Sequence, residues 1–176
     1  MKRIFLLLTV VAMTALTGCS NNDDRIYSDN DTIAEVFEIN GNTTFTAANG
    51  YTINYTLSPQ IFSSDMILVY RLSGTNAGND VWEALPQTYY FNNGADDLLY
   101  TFDFSVNDIN IYIDSTFPAE DAPAFSVNQV FRVVVIPGFL SNKSATNTAS
   151  VDLTDYNAVM QAYKLNSSNV RTIGER

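Results

Sequence analysis

The 176-residue chain contains one cysteine, at position 19, and no histidine. Those two facts remove most of the side chains that do chemistry near neutral pH. Ser-His-Asp and Cys-His catalysis need an imidazole base. The usual zinc sites are built from His and Cys. His is also the side chain best matched to proton transfer around pH 7. What remains is oxygen chemistry and aromatic surface. Glu83, Asp103, Asp114 and Glu120 are available for a carboxylate pair of the kind that hydrolyses glycosides, provided two of them converge. Asp96, Asp97 and Asp80, with Asn76 and Asn79, offer hard oxygen ligands of the type calcium takes. No stretch follows the D-x-[DN]-x-[DN]-G loop pattern, and Asn and Asp are ordinary turn formers, so no metal site is assigned. Trp82, Tyr89 and Tyr90, followed by Phe91, are the candidates for ligand binding, because an aromatic ring stacks on the apolar face of a sugar. The competing use of such rings is packing within strands. No catalytic residue and no cofactor is expected.

The lone cysteine ends a distinctive segment. Lys2 and Arg3 precede thirteen uncharged residues, 4–16, and Thr17-Gly18-Cys19 follows. A basic start, an apolar run and small residues before a cut site make a secretory signal. Thirteen residues are too few to cross about 30 Å of hydrocarbon, which takes about 20. Leu16-Thr17-Gly18-Cys19 resembles the lipobox of bacterial lipoproteins. That resemblance implies cleavage before Cys19, a diacylglycerol on its thiol and acylation of its new amino group. Two or three acyl chains anchor a soluble domain stably, where one binds marginally.

Removal of residues 1–18 leaves 158 residues, one domain's worth of chain with room for a core. Lys2 and Arg3 leave with it, so seven of the nine basic residues face all 19 acidic ones, a net charge of −12. This acidity argues against nucleic acid as a partner, since phosphate backbones demand clustered Lys and Arg. It also argues against electrostatic docking on anionic lipid. With a single Cys, no intramolecular disulfide forms.

The elements that must position these residues are strands. Residues 20–32 are polar and acidic, and 19–32 reads as a flexible tether. From 33 the texture changes. Tyr51, Ile53, Tyr55 and Leu57 alternate with polar residues; so do Leu98, Tyr100, Phe102 and Phe104, and Ile109, Ile111 and Ile113. A period of two marks half-buried strands. Runs 66–72 and 130–136 are apolar on both faces and read as central strands. Strands are also expected over 33–39, 43–46 and within 81–91, where Pro86 suggests an edge or a bulge. Residues 73–80 read as a long polar loop. Asn49-Gly50 is expected to close a hairpin between 43–46 and 51–57, and Asn92-Asn93-Gly94 another before Leu98. Tyr156, Val159, Met160 and Tyr163 form one apolar helical stripe, capped by Asp152 or Thr154. Residues 166–176 read as a polar, loose tail.

The expectation is therefore all-β: an antiparallel β-sandwich, immunoglobulin-like or similar, over 33–165, with one C-terminal amphipathic helix. The lipobox, the acidic tether with Asp23-Asp24 and the Asn/Asp-rich strands resemble envelope lipoproteins of the Bacteroidetes type. That resemblance implies a lipid anchor in the outer membrane and surface exposure. Asp31-Thr32-Ile33 and Asp114-Ser115-Thr116 resemble the O-glycosylation acceptors of proteins exported by such bacteria, which makes Thr32 and Ser115 candidate sites. Asn42-Thr43-Thr44 and Asn54-Tyr55-Thr56 fit the N-glycosylation pattern. The expected function is a non-catalytic binding or structural module. Its partners would be the membrane, through the lipid, and a glycan or an envelope protein. A carboxylate-based hydrolase and an accessory subunit of an envelope complex are the alternatives.

Overall fold

Alternating and doubly apolar segments sort into two sheets. The structure, a computed structural model, describes residues 33–41, 43–138 and 151–173. Cys19, the lipobox, the tether, Thr32 and Asn42 lie outside the described residues. The strands are β1 (Glu35–Ile39), β2 (Thr52–Thr56), β3 (Met66–Asn76), β4 (Asn79–Ala84), β5 (Gln87–Phe91), β6 (Asp96–Phe104), β7 (Asp108–Ser115), β8 (Phe131–Ile136) and β9 (Arg171–Ile173). Among the described residues two α-helices, α1 (Pro123–Ser126) and α2 (Tyr156–Ala162), accompany them. One sheet runs β4-β3-β8-β1-β9 and the other β2-β7-β6-β5. Every pairing is antiparallel except that of β9 with β1. The two sheets make a β-sandwich.

The core lies between them. Ile109, Ile111 and Ile113 of β7 and Leu98 and Tyr100 of β6 meet Phe37, Ile67, Val69, Phe131 and Val133 of the five-stranded sheet. Phe45 is fully buried here, edge-on to Tyr100 and Phe131 at 5.9 and 6.1 Å. A second cluster sits on the other side of the five-stranded sheet, where Tyr156, Val159 and Met160 of α2 cover Tyr70, Val134 and Ile136. This accounts for the two kinds of hydrophobic pattern. β3 and β8 are buried on both faces and read as continuous apolar runs. β2, β6 and β7 belong to a sheet on whose outer face no described element packs, so they alternate.

Residues 43–46 are not a strand, and Asn49-Gly50 does not close a hairpin. Thr46 and Asn49 cap a short 3-10 turn, Ala47–Asn49, by reciprocal side-chain bonds, and Gly50 ends it with φ 61°. The segment before it is held by the approach to β8. The Thr43 hydroxyl donates to the Gln129 carbonyl, Gln129 N–H donates to the Thr43 carbonyl at 3.1 Å, and Phe45 N–H donates to the Ser126 carbonyl at 2.7 Å. Local capping and the burial of Phe45 outweigh the strand propensity of the threonines.

Residues 73–80 are not a loop either. β3 and β4 continue to a tight turn at Ala77-Gly78, with φ 50° and 82°. The Asn92-Asn93-Gly94 turn does join β5 to β6, and Pro86 lies in the link between the two edge strands β4 and β5. The cap of α2 is Asp155, whose carboxylate accepts from the Asn157 and Ala158 N–H groups at 2.9 and 3.1 Å. Asp152 instead accepts from Thr154, and neither caps the helix. Residues 171–173, expected in a loose tail, add β9 beside β1, and Ile173 packs against the core.

Candidate functional site

Two constellations of polar side chains result. One is enclosed between the sheets. Arg71 is 4% exposed and interrupts the apolar run of β3. Its Nε donates to Gln129 Oε1 at 2.8 Å, Nη1 to the Tyr89 hydroxyl at 3.1 Å and Nη2 to the Ala124 carbonyl at 3.2 Å. The rings of Tyr100, Phe125 and Tyr89 surround the guanidinium at 5.0, 5.1 and 5.3 Å. Glu83 stands opposite Arg71 in register, yet its carboxylate accepts the Tyr89 O–H. The positive charge is thus met by rings and neutral acceptors, with the nearest carboxylate one hydroxyl away. Burial pushes the Tyr100 phenol up to about 12, against the pull of Arg71. Burial, then the Glu83 carboxylate, raises Tyr89 as well. The cluster ties β3 to β5, β6 and the 122–129 segment, and each guanidinium nitrogen is bonded within the fold.

The other constellation is open. The outer residues of the four-stranded sheet are Thr52, Asn54 and Thr56 of β2, Asp108, Asn110, Tyr112 and Asp114 of β7, Asp97, Leu99, Thr101 and Asp103 of β6, and Thr88 and Tyr90 of β5. Each is exposed or half-buried. Register sets Asn54 beside Asn110 and Asn110 beside Asp103. Side-chain bonds follow that row. Asn54 Nδ2 donates to Asn110 Oδ1 at 2.7 Å, Asn110 Nδ2 donates to Asp103 Oδ1 at 2.9 Å, and the Tyr112 hydroxyl donates to Asp103 Oδ2. Asp103 therefore has both oxygens held. Asp108 borders the row, accepting from Ser105 and, at 3.5 Å, from Asn54. None of the described arginines or lysines, Arg71, Arg132, Lys164 and Arg171, stands on this face. Most side-chain hydrogen bonds in proteins go to backbone or water, so a row of side-chain pairs across three strands is an organised feature.

The residues singled out by type are dispersed. Trp82 lies on the covered side of β4, its ring 4.1 Å from the Arg132 guanidinium carbon and 5.6 Å from the Tyr156 ring. Tyr89 points between the sheets, and Phe91 packs against Phe117 and Phe125. Tyr90, 72% exposed, stands on the open face. The three expected ligand-binding rings thus occupy three different surfaces. Asp80 approaches Arg132 at 3.8 Å in one sheet, while Asp96 and Asp97 belong to the other, where Asp96 accepts from Asn92. Among the described residues no cluster of three or more His, Cys, Asp or Glu could hold a metal ion.

The four carboxylates do not converge. Glu83 is taken by Tyr89. Glu120 accepts from Ala47 N–H and the Tyr51 hydroxyl, both at 2.8 Å, and those bonds hold its carboxyl below the usual range. Asp103 and Asp114 share the open face, but Asp114 lies four residues along β7 from the partner of Asp103, roughly 13 Å away at the rise of an extended chain. Ser115 ends β7 half-buried, its hydroxyl donating to the Phe117 carbonyl at 2.5 Å. Asn54 and Thr56 of the N-glycosylation pattern lie within β2.

Type alone named Asp103, gave Asn54 only as part of a glycosylation pattern, and missed Asn110 and Tyr112. The signal lay in the short 105–107 link, since a hairpin there sets Asp103 opposite Asn110. Arg71 was marked by being a lone charge inside an apolar run. Compared with family models, with curated proteins and with solved structures, the chain has no match.

Proposed function

We propose that the chain is a non-catalytic binding module held on the cell envelope, at the outer membrane, by lipid on Cys19, and that it binds through the open face of the four-stranded sheet. The hydrogen-bonded row Asn54–Asn110–Asp103–Tyr112 carries this reading, because it is ordered, exposed and polar and no described element packs on it. In a sandwich whose other outer face is covered by α2, this is the surface with side chains arranged and unspent. The lipobox and the acidic segment that follows it in sequence support the anchor.

Two measurements test the two halves. Cys19→Ala should move the protein from the membrane to the soluble fraction, and continued membrane retention would remove the anchor from the proposal. A photo-reactive residue replacing Thr101, in the middle of the open face, should capture a ligand from intact envelopes. The same residue replacing Thr172 of β9 should capture none. Equal capture at both positions, or none at Thr101, would overturn the assignment of the face.

A further inference from the structure

The chemistry of the open face narrows its ligand. We infer that the Asn54–Asn110–Asp103–Tyr112 row is a subsite for a neutral, hydroxyl-rich glycan laid across β2, β7 and β6, an inference that rests on the reading of this face as the binding surface.

Charge is the first filter. Asp97, Asp103, Asp108 and Asp114 line the face, and no described cation accompanies them. Phosphates, sulfated chains and uronic-acid polymers are repelled by such a field. Apolar content is the second. Leu99 is the only aliphatic side chain among the outward residues of β2, β5, β6 and β7. Protein interfaces are built on buried apolar and aromatic centres and are depleted in Asp, whereas here four Asp stand among the outward residues and the rings are those of Tyr90 and Tyr112 alone.

Donor and acceptor balance is the third filter, and it separates a polyol from a cation. An ionised carboxylate accepts at about four sites and a carboxamide offers two N–H groups. Asp103 spends one site per oxygen on Asn110 and Tyr112, which leaves accepting capacity on both. Asn110 spends one N–H on Asp103 and keeps a second. The Tyr112 oxygen, having donated its proton, still accepts. A cationic ligand would use the acceptors and leave the amide N–H unmatched. A sugar hydroxyl donates and accepts at once, and two adjacent hydroxyls match a carboxylate with an amide beside it.

Geometry agrees. Strands lie about 4.8 Å apart, so a row over three of them spans roughly 10 Å, the scale of a disaccharide. Tyr112, half-buried between Thr52 and Thr101 in register, adds a ring beside the row on which an apolar sugar face can rest. Because Asn110 and Tyr112 already fix the Asp103 carboxylate, little side-chain freedom is left to lose on binding.

The test uses the full-length protein in detergent, with an array of neutral glucans, mannans, galactans and xylans, heparin as the anionic control and polylysine as the cationic one. A neutral glycan should bind, and heparin and polylysine should not. Asn110→Ala and Asp103→Ala should each weaken binding at least tenfold while leaving the urea midpoint unchanged. Thr101→Arg, which puts a long side chain in the middle of the face, should weaken binding as well. Thr172→Ala should bind as the parent does. Polylysine binding in place of glycan binding would overturn the inference, and so would glycan binding indifferent to all three face variants. If no glycan binds but the Thr101 photo-probe still captures a protein in a manner lost in Asp103→Ala, the glycan assignment falls and the surface assignment stands. If the probe captures nothing, both fall.

Discussion

The outer faces of the two sheets are made from the same backbone and carry opposite chemistry. On the five-stranded sheet, Tyr70, Val134 and Ile136 are covered by Tyr156, Val159 and Met160, and the arginine beneath the helix is fully engaged. Arg132 reaches Glu38 at 3.3 Å, Asp80 at 3.8 Å and the Tyr156 hydroxyl at 2.7 Å, with the Trp82 ring against its guanidinium. On the four-stranded sheet the polar groups bond one another across strands in the open. The difference teaches where stability and binding capacity reside. Burial converts side chains into folding energy, at about 25 cal/mol per Å² of apolar surface removed from water. Exposed hydrogen bonds trade with water and add little, so their order is available to a ligand.

A charge placed under the helix should break this contrast most severely. Val134 is fully buried in β8 beneath α2. Val134→Asp strands a carboxylate among Tyr70, Val159 and Ile136, at a cost of several kcal/mol and comparable to the whole stability of a domain this size. Loss of the cooperative urea transition is the expected result. A transition as sharp and as late as the parent's would mean that α2 does not seal this face. Arg132→Ala comes next. It leaves Glu38 with no cation, frees the Tyr156 hydroxyl and uncovers the Trp82 ring, and should cost about 2–3 kcal/mol by urea denaturation. A cost below about 0.5 kcal/mol would put this pair in the class of surface ion pairs.

The reach of sequence reading follows the same division. Strands whose pattern depends only on which face is buried were legible: the alternation of β2, β6 and β7, the double-sided runs of β3 and β8, and the stripe of α2. Elements decided by distant partners were not. Residues 43–46 look like a strand until Thr43 meets Gln129, 86 positions away. β9 is three residues long and exists because β1 has a free edge. The turn between β3 and β4 has Ala77 rather than Asn before Gly78, so no Asn-Gly pair announces it, although Asn76 and Asn79 flank it. The open row is a middle case. Each member sits at an ordinary polar position of an alternating strand, and only the register of three strands shows that Asn54, Asn110 and Asp103 form a line with Tyr112 beside it.

The alkaline limit should sharpen the contrast at an intermediate size. Burial raises the phenols of Tyr70 beneath α2, of Tyr156 on the inner side of α2, and of Tyr89 and Tyr100 between the sheets. A phenol whose folded pKa lies above its unfolded value of about 10 keeps its proton longer in the native state. Its contribution is complete below pH 10 and is lost as pH rises toward the folded value, about 12 for Tyr100. Urea stability should be flat from pH 7 to 9 and fall beyond 10, by about 1.4 kcal/mol per pH unit for each unfolded phenol ionised. Phenolate absorbance from these four residues should appear together with unfolding. Their smooth titration in a folded protein would contradict their burial.

The smallest effect is expected on the open face, and its smallness is what links structure to binding. Asn110→Ala deletes two of the row's three bonds, and Asp103→Asn removes one charge while keeping the shape. Both sites face solvent, so groups that lose a partner gain water, and each change should stay within about 0.5 kcal/mol in urea denaturation. Asp103→Asn also relieves repulsion, since Asp97, Asp108 and Asp114 lie on the same face and like charges repel. A loss above about 2 kcal/mol at either position would mean that the row holds the sheet together. Its order would then be spent on folding, and nothing would remain to separate the open face from the covered one as a place for ligand.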